Sequence, residues 1–168
     1  MVESGQKTSS AVWYSLATAR ILLGLVFTWA FFDKLFGWGL ATSAEKAWIN
    51  GGSPTTGYLK NVEGPFADMF TAIAGQSWAD WLFMAGLLGI GVALLLGIGV
   101  RIAATTGSLL LFFMWMASLP LSNHPFVDDH LVYIAVLVTI CFGLSQQRLS
   151  LAKWWQKLPI VHSSTWLW

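Results

Sequence analysis

The sequence predicts an all-α membrane protein, a four-transmembrane-helix bundle with short extracytoplasmic helices and a C-terminal interfacial amphipathic helix. Three observations predict it. The 168 residues are 56% hydrophobic and only 10% charged, and the mean hydropathy is +0.64, beyond the range of an ordinary soluble domain. Four apolar stretches approach the roughly 20 residues that a helix needs to cross a hydrocarbon core. Charged side chains gather at the ends of those stretches, with Arg20 the main exception. Because lipid offers no partner to an unpaired N–H or C=O, the crossing segments must be helices.

The first span is expected over 11–36, closed by Asp33-Lys34. It resembles a signal peptide in position, yet it is too long and lacks an Ala-x-Ala-like site after its apolar core, so it is read as retained. The second and third spans are expected over 81–100 and 102–121, separated at Arg101. The fourth, over 131–147, reaches working length with its polar ends in the interfaces. The 37–80 loop is too patterned for a linker. Thr42 and Glu45 have capping-box spacing, Gly51 can close the helix so begun, and Gly51-Gly52-Ser53-Pro54 must turn. Pro65 suits a first helical position, with Phe66, Met69, Phe70 and Ile73 on one stripe and Gly75 as the stop. In the 148–168 tail, Leu151, Trp154, Trp155 and Leu158 fall near one face with Lys153 and Lys157 between them, up to Pro159; Trp166, Leu167 and Trp168 follow.

Lys7, Arg101, Arg148, Lys153 and Lys157 fall on one side of an even-span arrangement, and Lys34, Lys46 and Lys60 on the other. That bias places both termini in the cytoplasm. The net charge of +1 points to no nucleic acid. The lone Cys141 rules out an intrachain disulfide, a redox dithiol or a thiolate zinc site built by this chain alone. P-loop, dinucleotide and nucleophile-elbow motifs are absent, as is a His pair at haem-ligand spacing. No covalent cofactor is expected. The eleven Trp suit two interfacial belts, and the spans offer little polar lining for a solute carrier.

Gly89, Ala93 and Gly97, with Ala103 and Gly107 on the next span, are small-residue rows where helices can pack closely, within the chain or between copies. A charge at the depth of Arg20 costs several kcal/mol unless sheltered. It either binds backbone carbonyls or lipid phosphate, or meets an acidic partner or a quinone head. Topology brings Asp33, Lys34, Asp80, His124, Asp128, Asp129 and His130 to the opposite face. An N-cap role accounts for one of Asp128 and Asp129. The spacing of His124 and His130 matches no strong metal motif, and His130 is also a candidate proton donor to a quinone.

Arg20 to Gly24 (Arg-Ile-Leu-Leu-Gly), Phe27, and Asp33-Lys34-Leu35-Phe36 resemble the first helix of the DoxX/DoxD family of small prokaryotic membrane proteins. Trp48, Gly51 to Thr55 and Gly57-Tyr58-Leu59 look like the loop of one branch. Gly86 to Gly89, Arg101, Asn123-His124-Pro125 and Asp128-Asp129-His130 are similar to later signatures. The resemblance covers roughly 17–143 and implies a prokaryotic cell-membrane protein of four helices. Some relatives are membrane subunits of thiosulfate:quinone oxidoreductase, and others join complexes of sulfur or oxidative-stress metabolism. The expectation is a subunit coupling a redox complex to the quinone pool, with quinone as the candidate ligand and other subunits or a second copy as partners in the bilayer. The alternative is a non-enzymatic assembly subunit. Arg20, Asp33, Lys34, Asp128, Asp129 and His130 are the candidate contacts.

Overall fold

A computed structural model describes residues 10–167; Glu3, Lys7 and Trp168 lie outside them. α1 (Ser10–Phe36) runs unbroken for 27 residues. It stops at Gly37, whose positive φ of 67° suits a residue without Cβ, and the Gly37 amide donates to the Asp33 carbonyl at 2.8 Å. The connecting segment holds two 3-10 turns, Ala44–Lys46 and Trp48–Asn50, then α2 (Thr56–Leu59) and α3 (Ala67–Ile73). α4 (Ser77–Leu96), α5 (Val100–Ala117) and α6 (Asp129–Phe142) complete the bundle. The tail adds α7 (Ala152–Trp155) and α8 (Pro159–His162). Among the described residues there is no strand.

α1, α4 and α5 are long and apolar enough to cross a membrane, at 27, 20 and 18 residues. Leu22, Leu25, Val26, Leu82, Leu109 and Phe112 lie exposed on them. Such a surface belongs to a multi-pass protein that contacts lipid. α6 is apolar but has only 14 residues, about 21 Å of rise. Its expected continuation to 147 fails at Gly143, after which Leu144–Gln146 tightens into a 3-10 turn.

α1 and α4 cross antiparallel where both backbones come close. A Cβ on Gly24 would strike Leu95, and one on Gly91 would strike Thr28. On the other side α5 packs on α6, with Gly107 beneath Leu137. Leu23, Phe27, Met84, Leu87, Ile90, Leu94, Leu111, Leu137 and Ile140 form the shared core. Val62, Phe70 and Ala117 make a smaller one under the 37–80 segment. The bundle therefore has a loop end, where residues 37–76 and 118–128 lie, and a tail end. Gly143 packs against Trp13 and Leu16 near the start of α1, so Asp129 and Arg148 sit at opposite ends.

Several boundaries differ from the sequence reading. The second and third spans begin and end about four and two to four residues early, because Gly97 and Gly99, at φ 68° and 54°, make the turn rather than Arg101. Arg101 thus falls within the first turn of α5. Thr42 is buried but caps nothing, and Ser43 at the N-cap makes no side-chain bond. Gly51 does close a 3-10 turn, at φ 86°. The helix expected from Pro65 begins at Ala67, after Phe66. The expected C-terminal amphipathic helix up to Pro159 is a single four-residue turn, Ala152–Trp155, and a second turn starts at Pro159 itself. Proline disfavours the helical region for the residue before it, and Leu158 is accordingly extended at ψ 132°.

Candidate functional site

Arg20 is 1% exposed and organises the tail end. Its Nη1 donates to the Leu94 carbonyl at 2.7 Å, and its Nη2 to the carbonyls of Leu149 at 2.7 Å and Arg148 at 3.2 Å. The last carbonyls of a helix have no intrahelical donor and carry its negative dipole end. Leu94 and Leu96 are two of these in α4, and the second is met by the Leu151 amide at 2.8 Å. Arg20 therefore neutralises the end of α4 and fastens the tail to it. Leu149 holds a positive φ of 51°, unfavourable for a residue with Cβ, in the turn that presents its carbonyl. The guanidinium lies so close to Gly97 that a Cβ there would collide with it. The space lining Arg20 on its free side is about 10 Å³, room for about one water rather than a quinone ring. Of the readings for Arg20, backbone carbonyls match the geometry.

At the loop end, Asp80 in the first turn of α4 is 7% exposed. Its Oδ1 accepts from Ser53 Oγ at 2.8 Å, Thr55 Oγ1 at 2.6 Å and the Thr55 amide at 3.2 Å. The network extends through Ser53 Oγ, which accepts from Thr56 Oγ1 and N, and through Thr55 Oγ1, which accepts from the Gly75 amide. Asp80 was legible as an outer-end acid, but its partners across the Gly-Gly-Ser-Pro turn were not. Carboxylate acceptors make the stronger hydrogen bonds. Asp80→Ala is expected to cost about 2 kcal/mol and to speed hydrogen exchange across 53–76, measured by mass spectrometry; unchanged exchange there would rule out this anchoring role.

The other candidate residues fall into separate groups, Asp128, Asp129 and His130 together and Asp33 and Lys34 apart from them. Asp33 is 1% exposed, and neither carboxylate oxygen has a hydrogen-bond partner among the described residues. Its neighbour Lys34 turns elsewhere, with Nζ 5.8 Å from the centre of the Phe83 ring. Asp128 is the N-cap of α6: Oδ1 accepts from the Leu131 amide at 3.3 Å, and Oδ2 pairs with His130 Nδ1 at 2.6 Å. Asp129 Oδ1 lies 3.6 Å from the same nitrogen and is exposed. One ligand atom from each of the three falls within 4.8 Å of the others, but Asp128 already uses Oδ1 to cap the helix and Oδ2 to hold His130. His124 stands apart, its Nδ1 accepting from the Phe126 and Val127 amides at 3.1 and 3.0 Å.

The feature that sequence reasoning missed is a groove of about 1290 Å³ along α4 and α5. Gly86, Gly89 and Ala93 from α4 and Ala103 and Thr106 from α5 lie along it; Tyr58, Leu59, Phe70 and Ile73 border its loop end and Trp155 its tail end. Gly89 has open space within 4 Å of where a Cβ would stand. The small-residue row Gly89–Ala93 thus faces the groove, while Gly97 ends the helix. Only the empty row and the two lids together make the groove, and the lids come from segments distant in sequence. Among known proteins, no family model, no curated protein and no solved structure matches this chain.

Proposed function

We propose that this chain is a DoxX/DoxD-like four-span membrane subunit, with both termini cytoplasmic, that couples a redox complex to the quinone pool. The observation that carries this reading is the groove: apolar, open along the helices that face lipid, and larger than the 300–1,000 Å³ of an ordinary ligand pocket. An isoprenoid-tailed molecule can enter such a groove sideways from the bilayer. Reducing a quinone to its quinol takes two electrons and two protons, and a chain with one cysteine takes its electrons from a carrier on a partner. In this arrangement α6, lengthened by the turn at Leu144–Gln146, crosses by thinning the bilayer locally around it. A second reading, an assembly subunit, is favoured by the open row at Gly89, since a partner helix also approaches closely over small residues.

Purification in mild detergent followed by mass spectrometry separates these readings. Quinone at near-stoichiometric level supports the first, and stoichiometric protein without quinone supports the second. The span count has its own test. In a Cys141→Ser background, Ser122→Cys and Ser145→Cys are expected to label with an impermeant maleimide from opposite sides of the membrane. Labelling from the same side would remove α6 from the crossing helices.

A further inference from the structure

The groove is asymmetric in its side-chain hydrogen-bond donors. At the tail end, where the uncapped N-terminus of α5 at Gly99 offers backbone amides, the side-chain donor is the Trp155 indole, whose only N–H is spent on the Leu167 carbonyl. Midway, the Thr106 hydroxyl donates to the Ile102 carbonyl of its own helix. Near the loop end, Thr55 Oγ1 donates to Asp80, and the Tyr58 hydroxyl is shared between Ser118 Oγ and the Met114 carbonyl. Lys34 is different. It is the one cation lining the groove, and no described residue accepts a hydrogen bond from it or pairs with it within 4.0 Å, although the neighbouring buried Asp33 carboxylate attracts its charge. Its ammonium, a donor with no acceptor capacity, stands over the Phe83 ring, and Trp78 and Phe70 flank the same end.

We infer that a quinone bound in this groove places its ring at the loop end, where Lys34 Nζ donates to a ring carbonyl beside Phe83, with the isoprenoid tail running toward Trp155. This inference rests on the quinone reading above and adds a direction to it. Quinone carbonyls accept hydrogen bonds and donate none, which matches a lysine whose ammonium has no hydrogen-bond acceptor among the described residues, and the aromatic walls suit a flat ring. A phosphate head would use the charge but gain nothing from those walls. The consequence is sidedness: the ring lies at the extracytoplasmic interface, and the electron donor docks on that face.

The test uses the full chain in lipid nanodiscs and a ring-azido ubiquinone analogue with a short isoprenoid tail, photolysed and mapped by mass spectrometry. Saturable adducts on peptides containing Lys34, Tyr58 and Trp78–Phe83 are the expected result. Adducts confined to Ile98–Ile102 and Trp155 would overturn the direction while leaving quinone binding intact. Absence of saturable labelling would overturn both, as would a doubled particle mass with the groove closed to the probe. Loss of labelling on adding an anionic phospholipid, but not on adding unlabelled quinone, would assign the groove to that lipid. Lys34→Met is expected to raise the quinone Kd about tenfold without moving the thermal midpoint; an unchanged Kd in the folded variant counts against the lysine contact.

Discussion

Replacing Arg20 by leucine is expected to lower the thermal midpoint of the detergent-solubilised protein by roughly 10 °C. The side chain is fully buried and supplies donors to the carbonyls of Leu94, Arg148 and Leu149. Each buried acceptor left without a donor costs about 1–3 kcal/mol, so the sum is on the order of 4 kcal/mol after the tail relaxes toward water. At about 2–4 °C per kcal/mol for a chain of this size, that gives the stated shift. The loss has a local signature as well. The tail is held at Leu149 by Arg20 and at Leu151 by the α4 terminus, so trypsin cleavage after the exposed Lys153 and Lys157 accelerates in the variant. Arg20→Lys falls between, because one ammonium cannot bridge two segments that a forked guanidinium spans. A midpoint within about 2 °C of the parent, with unchanged trypsin sensitivity, would show that these carbonyls find other donors.

How much of this was legible in the sequence depends on whether one residue or two must be known. The apolar segments are visible because lipid imposes length and hydropathy on each helix separately. The need to shelter Arg20 is visible for the same reason. Its acceptors are not, because Leu94 becomes available only by standing in the last turn of α4, and Leu149 only through a left-handed turn. Asp80 likewise reads as a helix-start acid, while its partners at Ser53 and Thr55 depend on a tertiary approach. Segment ends failed where charge was used as the boundary: Gly97 and Gly99 end and restart the helices, and Arg101 follows them. In the tail, Pro159 ends the pattern as its sequence position implies, but the helix is shorter than the apolar spacing suggests, closing after Trp155.

The small-residue rows are the sharpest case, and they lead to the second large effect. Glycines at 86, 89, 91 and 97 put small residues on more than one face of the second span, and spacing alone cannot say which face meets a helix. The folded bundle uses Gly91, whose missing Cβ lets the Thr28 backbone approach, and leaves Gly89 facing the groove with open space beside it. Valine at the two positions should therefore behave oppositely although the chemistry is the same. Gly91→Val must push α1 from α4 at their crossing, an overpacking on the order of 3 kcal/mol, seen as a drop of roughly 9 °C in the thermal midpoint. Gly89→Val should hold the midpoint, since valine costs a helix no more than glycine does, yet it raises the groove floor and should weaken quinone binding. Equal destabilisation by both substitutions would mean that Gly89 too lies in a helix contact, and the groove would then belong to a partner's helix rather than to a lipid-borne ring.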